Sequence, residues 1–251
     1  MISLKDIRFS FGEDFKLAVD KLTFSKGGIS VIIGPNGSGK STLMCIMAGF
    51  NKEFSGELEI CERNIKNMRV NDIAKIVSYV GPRPEVMPDM RVYDVVSTGR
   101  YPYIGGIGIM DDESIEAVEQ ALELTGLADK PDNIISSLSS GEVQRVMIAR
   151  AIAQDTPIML LDESISNLDP KYTFEIINIL KKLKKNKTIV MVLHDLHIAI
   201  NSADALIGMK DGSCSFVLRD KSQIDASTIS NLFDVDFEMH SVEDKRFISF
   251  K

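Results

Sequence analysis

Apolar and polar residues alternate along residues 2–11, through Ile2, Leu4, Ile7, Phe9 and Phe11, and predict a half-buried strand. Residues 29–33 form a β-branched apolar run between Gly27-Gly28 and Gly34-Pro35, the pattern of a buried strand ending in a sharp turn. Residues 57–60 and 76–80 read as short strands, and 158–161 and 188–193 as buried ones. Helix formers fill 40–50, 139–154 and 170–185, the last with Pro170 in its first turn. A further helix over 111–125 opens on acids that suit the positive end of the helix dipole. Prolines at 82, 84, 88 and 102 interrupt the pattern, so 81–108 reads as loop with one short helix over 93–99. Residues 206–218 read as a hairpin around Asp211-Gly212. Strands alternating with helices predict a parallel sheet covered on both faces.

A chain of 251 residues is long enough for one large domain or two small ones around a self-sufficient core. Its formal net charge of −7 argues against broad nucleic-acid binding, which depends on positive charge. No apolar run approaches the roughly 18 residues of a membrane-spanning helix, and the N-terminus does not resemble a secretory signal. Cys45, Cys61 and Cys214 never fall in a C-x-x-C spacing and read as free thiols in a reducing compartment. The expectation is a cytosolic, globular chain that is not itself membrane-embedded.

Chemistry enters at Gly34-Pro35-Asn36-Gly37-Ser38-Gly39-Lys40-Ser41, a G-x-x-x-x-G-K-[ST] stretch between a buried strand and a helix. Glycines let such a loop curl until its N–H groups point at phosphate oxygens, with the helix N-terminus behind them. Lys40 reaches the β- and γ-phosphates, and the Ser41 hydroxyl is a ligand for Mg²⁺. Asn36, Gly37, Ser38, Gly39 and Thr42 complete the nucleotide-binding stretch. The strand 158–161 runs into Asp162-Glu163; a buried strand ends in adjacent carboxylates only where it opens onto solvent or a cation. Asp162 is the expected Mg²⁺ holder and Glu163 the expected general base for an attacking water.

Leu138-Ser139-Ser140-Gly141-Glu142, followed by Val143-Gln144-Arg145, resembles the L-S-G-G-Q/E signature of ATP-binding cassette (ABC) ATPases. Ser166-Asn167-Leu168-Asp169 is similar to that family's D-loop, His194 stands where its switch histidine belongs, and Phe11 where an aromatic stacks on adenine. The resemblance implies a P-loop NTPase (RecA-like) α/β fold: a parallel-sheet core, an N-terminal antiparallel β subdomain and an inserted helical subdomain. The expected boundaries are 1–81 and 156–218 for the core, 82–155 for the helical subdomain and 219–251 for a short tail. It also implies ATP and Mg²⁺ as ligands and a head-to-tail homodimer. In that dimer Ser139, Ser140, Gly141, Glu142 and Asp169 of one copy meet the nucleotide on Lys40 of the other, while His194 contacts the γ-phosphate. From the residues alone, Ser139 reads first as a simple N-cap with Glu142 three positions on. His194 and His197 are too few for a zinc site. The lysines at 181, 182, 184, 185 and 187 read as a solvated basic helix end.

Two further stretches refine the resemblance. The family has a glutamine that reaches Mg²⁺ and the attacking water, usually within Y-V-P-Q; here Tyr79-Val80-Gly81-Pro82 puts proline there, and no glutamine precedes Gln120. Arg83, a cation, would repel the metal, and Glu85 or a water is the nearest replacement. The expectation is weakened, not abolished, Mg²⁺ affinity and coupling. Ser140 for glycine and Ser164 for proline are milder departures. Val95-Val96-Ser97-Thr98-Gly99-Arg100-Tyr101-Pro102-Tyr103 resembles a stretch of importer ATPases for iron–siderophore, haem and cobalamin, and residues 232–237 resemble their tail. The resemblance therefore implies a peripheral ATPase on the cytoplasmic face of a membrane. Its partners would be integral permease subunits and, indirectly, an extracytoplasmic substrate-binding protein, with no nucleic acid. The rival expectation is a soluble or degenerate cassette that acts as a nucleotide-dependent switch without transport.

Overall fold

The computed structural model describes residues 1–12, 15–82, 88–105, 109–165, 168–243 and 245–251, and at Lys221 the backbone alone. In chain order come β1 (Ile2–Phe11), β2 (Phe15–Phe24), β3 (Gly28–Ile33) and α1 (Lys40–Met47). Next are β4 (Ser55–Ile60), β5 (Arg63–Asn64), α2 (Val70–Ala74), β6 (Val77–Val80), α3 (Val92–Ser97), α4 (Asp112–Leu124) and α5 (Ser140–Ala153). Then follow β7 (Ile158–Asp162), α6 (Pro170–Leu183), β8 (Thr188–Val192), α7 (Leu196–Ser202), β9 (Ala205–Lys210) and β10 (Ser213–Leu218). The chain closes with α8 (Ala226–Phe233), β11 (Phe237–Val242) and β12 (Lys245–Phe250). It forms two compact units, one from residues 1–68 and 184–251, the other from residues 69–183.

In the first unit the strand order is β5-β4-β1-β2-β10-β9-β3-β8. β3 runs parallel between β8 and β9, with Ile32 opposite both Val192 and Ile207. Ile29, Val31, Ile32 and Ile33 are fully buried, as befits a strand covered on both faces. The sheet is not parallel throughout, as the strand and helix pattern alone suggests: β1 pairs antiparallel with β2 and β4, and β9 with β10. Short connections explain the β1–β2 and β9–β10 pairs, because parallel neighbours need long crossovers. Two irregularities hide these strands in the sequence. In β2 the buried positions shift phase from Leu17 and Val19 to Leu22 and Phe24 across exposed Asp20-Lys21. In β1 the register with β4 slips between Lys5 and Arg8, where Asp6 takes a left-handed φ of 52°.

The tail beyond 218 is more structured than its sequence pattern suggests. Asp225 caps α8 by accepting the Thr228 N–H at 2.7 Å. β11 and β12 form an antiparallel hairpin in which Phe237 and Phe250 stack at 5.2 Å. Asn201 on α7 holds that hairpin: its Oδ1 accepts from Arg246 N–H at 3.0 Å and its Nδ2 donates to Arg246 O at 2.8 Å.

In the second unit β6 and β7 pair in parallel, Val80 opposite Leu161. Helices α3, α4 and α5 pack on one another around Val92, Val95, Val96, Val118, Val146 and Ile148. The 95–103 stretch is held from inside that packing. A Cβ on Gly99 would stand 2.3 Å from the Arg150 carbonyl oxygen of α5, so only glycine permits the approach. Arg100 is buried: Nη1 donates to Ala153 O at 3.0 Å and Nε to Ser114 Oγ at 3.2 Å. Its guanidinium lies 4.3 Å from the centre of the Tyr103 ring, while Tyr101 remains 65% exposed. Gly99→Ala should therefore lower stability by about 2 kcal/mol, the usual cost of forcing an atom into a packed contact. Urea denaturation followed by helical circular dichroism measures this, and an unchanged midpoint would refute the close contact.

Candidate functional site

The phosphate loop is built where β3 ends. Gly34 has φ 153°, and a Cβ there would fall 2.0 Å from the Met209 carbonyl oxygen, so the chain can leave the strand only as glycine. Gly37 and Gly39 have φ of 79° and 95°, with Ser38 between them at negative φ. Alternating signs of φ turn successive N–H groups to one side and make an anion nest. The Ser38 N–H donates to Pro35 O at 3.3 Å and tightens the turn. Gly39, left-handed, caps α1 without a side chain, and no acid occupies the first turn of α1. The positive end of the helix is thus available to an anion. Lys40 is 5% exposed, and its Nζ donates to Gly34 O at 3.0 Å and Pro35 O at 2.8 Å. Buried Ser38 Oγ has no hydrogen-bond partner among the described residues, a hydroxyl suited to a phosphate oxygen. Asn36, Gly37 and Ser41 are exposed at the mouth of the loop, and Thr42 is half-buried.

Two more expected residues lie beside this loop in the same unit. β8 and β3 run parallel, and the Leu193 N–H still bonds to Ile32 O at 3.3 Å, so His194 emerges on the edge where the loop begins. His194 is exposed, and the next residue, Asp195, caps α7 by accepting the Ile198 N–H at 2.9 Å. Phe11 pairs with Phe15 across β1 and β2. Phe15 Cζ and Leu17 Cδ1 both lie 3.0 Å from where a Cβ on Gly39 would stand, which sets this strand end against the loop. Phe11 is 78% exposed there, as a face for a nucleobase must be.

The second unit carries the carboxylates and the signature. Asp162 ends β7 fully buried, and the Tyr79 hydroxyl of β6 donates to its Oδ2 at 3.2 Å. Glu163 is half-buried with a left-handed φ of 52°, a conformation that costs a non-glycine residue about 1–2 kcal/mol. Ser164 is buried, and its Oγ has no partner among the described residues. Ser139 caps α5 in a complete capping box: its Oγ accepts the Glu142 N–H at 3.3 Å while Glu142 Oε2 accepts the Ser139 N–H at 2.9 Å. Ser140 and Gly141 open the helix, exposed and half-buried respectively. Asp169 is exposed before Pro170 and accepts the Lys171 N–H at 2.9 Å. Ser166, Asn167, Arg83 and Glu85 lie outside the described residues, whereas Pro82 sits exposed at a bend. Ser41 and Asp162 each offer a hard oxygen, the donor type Mg²⁺ prefers. Among the described residues no group of three or more His, Cys, Asp or Glu could hold a metal ion.

Sequence reading missed two contributors. Tyr79 gave no signal beyond standing three residues ahead of Pro82. Lys130 lies outside the signature, 12 residues before Glu142, and its ammonium pairs with that carboxylate. That pairing, with the Ser139 bonds behind it, pulls the Glu142 carboxyl from its ordinary 4.5 down to about 2. A depressed folded-state value stabilises the fold above pH 4.5, and the contribution disappears as pH falls from there to about 2. Water screens the pair, so its net contribution is small. Glu142→Gln should thus be less stable than the parent chain at pH 7, with the gap narrowing between pH 5 and pH 3. Parallel denaturation curves across that range read the difference, and a gap independent of pH would refute the ion pair.

Comparison with known proteins extends these observations along the whole chain. The ABC transporter family model matches residues 17–166. The petrobactin import ATP-binding protein YclP of Bacillus subtilis (strain 168) is 33% identical over 248 residues, covering 98% of both chains. The iron(3+)-hydroxamate import ATP-binding protein FhuC of the same organism is 35% identical over 246 residues, covering 95% of this chain and 90% of the other. Among solved structures, the ATP-binding cassette MJ0796, as a dimer in a post-hydrolysis state bound to ADP and Pi, superposes with a TM-score of 0.77. It is 29% identical, and the match covers 86% of this chain and 97% of the other. A phosphate loop at the end of a buried strand, a signature serine capping a helix, and these matches have one meaning: the chain belongs to the ATP-binding subunits of the ABC transporter family.

Proposed function

We propose that this ATPase powers the uptake of an iron chelate through a membrane permease. The observation that carries the reading is the near end-to-end similarity to proteins named for petrobactin and iron(3+)-hydroxamate import. The loop Gly34–Ser41 supports the chemistry, because its amides, the start of α1 and Lys40 together suit a triphosphate.

In this reading the loop N–H groups and the N-terminus of α1 hold the phosphates, and Lys40 turns its ammonium from the loop carbonyls onto the β- and γ-oxygens. Phe11 offers its exposed ring to the adenine. Ser41 and Asp162 are the residues that would hold Mg²⁺, which would supply neutralisation of charge on the phosphates. Glu163 takes a proton from the attacking water, and His194 donates to the γ-phosphate. Ser139, Ser140, Gly141, Glu142 and Asp169 of a second copy complete each site, so that ATP closes a homodimer and hydrolysis releases it. Ser139 Oγ, committed to its own helix cap, would then also face the partner's nucleotide. No helix among the described residues is long and apolar enough to cross a membrane. Association with a membrane would therefore run through permease subunits at its cytoplasmic face, with an extracytoplasmic binding protein delivering the chelate.

Pro82 favours a second reading, a cassette that binds ATP as a switch and hydrolyses it poorly. A turnover assay separates the two, with Glu163→Gln as control; that variant should retain ATP and lose at least 100-fold in rate. In the same assay Pro82→Gln should tighten the Mg²⁺ dependence and raise the rate. No change in either would remove Pro82 as the cause of any defect. For transport itself, the tagged chain is extracted from its own cells in mild detergent. A multi-span membrane protein in equal amount is expected; recovery of soluble proteins alone, where a known cassette importer stays assembled, would overturn the reading.

A further inference from the structure

We propose that Tyr79 positions the metal-holding carboxylate of Asp162, a role given to it in this chain by Gly81-Pro82. The inference rests on the reading that Asp162 faces Mg²⁺.

A carboxylate at zero exposure needs hydrogen-bond donors to stay ionised and to keep one orientation. Tyr79 supplies one from the neighbouring strand. Val80 stands opposite Leu161 and Tyr79 opposite Leu160, so the phenol reaches two positions along to the strand's end and donates to Oδ2 at 3.2 Å. The ring can lie there because residue 81 has no side chain: a Cβ on Gly81 would stand 3.2 Å from Tyr79 Cε1 and 3.6 Å from its hydroxyl oxygen. The first distance is tighter than ordinary van der Waals contact, so any larger residue would press the ring. Pro82 presents no side-chain oxygen where the family has glutamine. Strand β6 therefore acts on the metal's surroundings through Tyr79, which fixes the plane of the carboxylate without touching the cation. Hydrogen-bond partners of a ligating carboxylate tune metal affinity in this way, and their loss usually costs about 10–100-fold.

Mn²⁺ affinity of the full chain, loaded with a non-hydrolysable ATP analogue, is read by electron paramagnetic resonance. Analogue affinity in EDTA and the melting temperature are measured alongside. Tyr79→Phe should weaken Mn²⁺ about tenfold, the low end of that range because the contact is indirect, and leave analogue affinity in EDTA unchanged. Gly81→Ala, which displaces the ring and keeps its hydroxyl, should weaken Mn²⁺ in the same direction by less. This second variant keeps the test open should Tyr79→Phe fold poorly. A purely structural role for Tyr79 would lower the melting temperature and leave Mn²⁺ affinity at the parent value, overturning the proposal. Asp162→Asn separates the two levels of the argument. If it loses Mn²⁺ and Tyr79→Phe does not, the positioning role alone falls. If Asp162→Asn binds Mn²⁺ like the parent, the metal-holding reading falls and this proposal with it.

Discussion

The site in the first unit depends on one close approach, the backbone of Gly34 against the carbonyl of Met209. β3 is buried and hemmed by parallel neighbours on both sides, so its chain can turn only at its end. At that end a Cβ would fall 2.0 Å from Met209 O. Glycine resolves the conflict and lets the loop start close to the strand. The remaining geometry follows: left-handed Gly37 and Gly39, a helix that opens without a capping side chain, and a lysine folded beneath the turn. The same parallel packing brings His194 out on the same edge.

A motif residue can serve its own fold and another purpose together. Ser139 forms an ordinary capping box with Glu142, a sufficient structural reason for both residue types. Lys130 then locks Glu142 from outside the motif. Glu163 differs, a residue just past the end of a strand with a left-handed φ of 52°.

Legibility in the sequence followed the range of each interaction. The phosphate loop was readable because glycine spacing, strand and helix all lie within a few residues, and the boundaries of α4 and α5 fell close to expectation for the same reason. β2 escaped because its buried face changes phase at Asp20-Lys21, and strict alternation was the only available signal. The tail escaped because its hairpin is held by Asn201, whose partner Arg246 is remote in sequence. The 95–103 stretch was recognisable as a pattern, but its physical basis, Gly99 against Arg150 and Arg100 against Ala153, needs the packed helices. Tyr79 and Lys130 belong with these, side chains whose meaning lies wholly in what stands opposite.

Lys40 has a consequence of a thermodynamic kind. Its ammonium is stripped of most of its water when the protein folds, because it is 5% exposed and rests on two peptide oxygens. The dehydration cost that a cation ordinarily imposes on an arriving anion has thus been met beforehand. On the reading that Lys40 meets the nucleotide, the phosphate arrives at an ion that is already dry, and the gain is not diminished by releasing a tightly held hydration shell. Preorganisation of this sort moves part of the affinity for nucleotide into the free energy of folding itself.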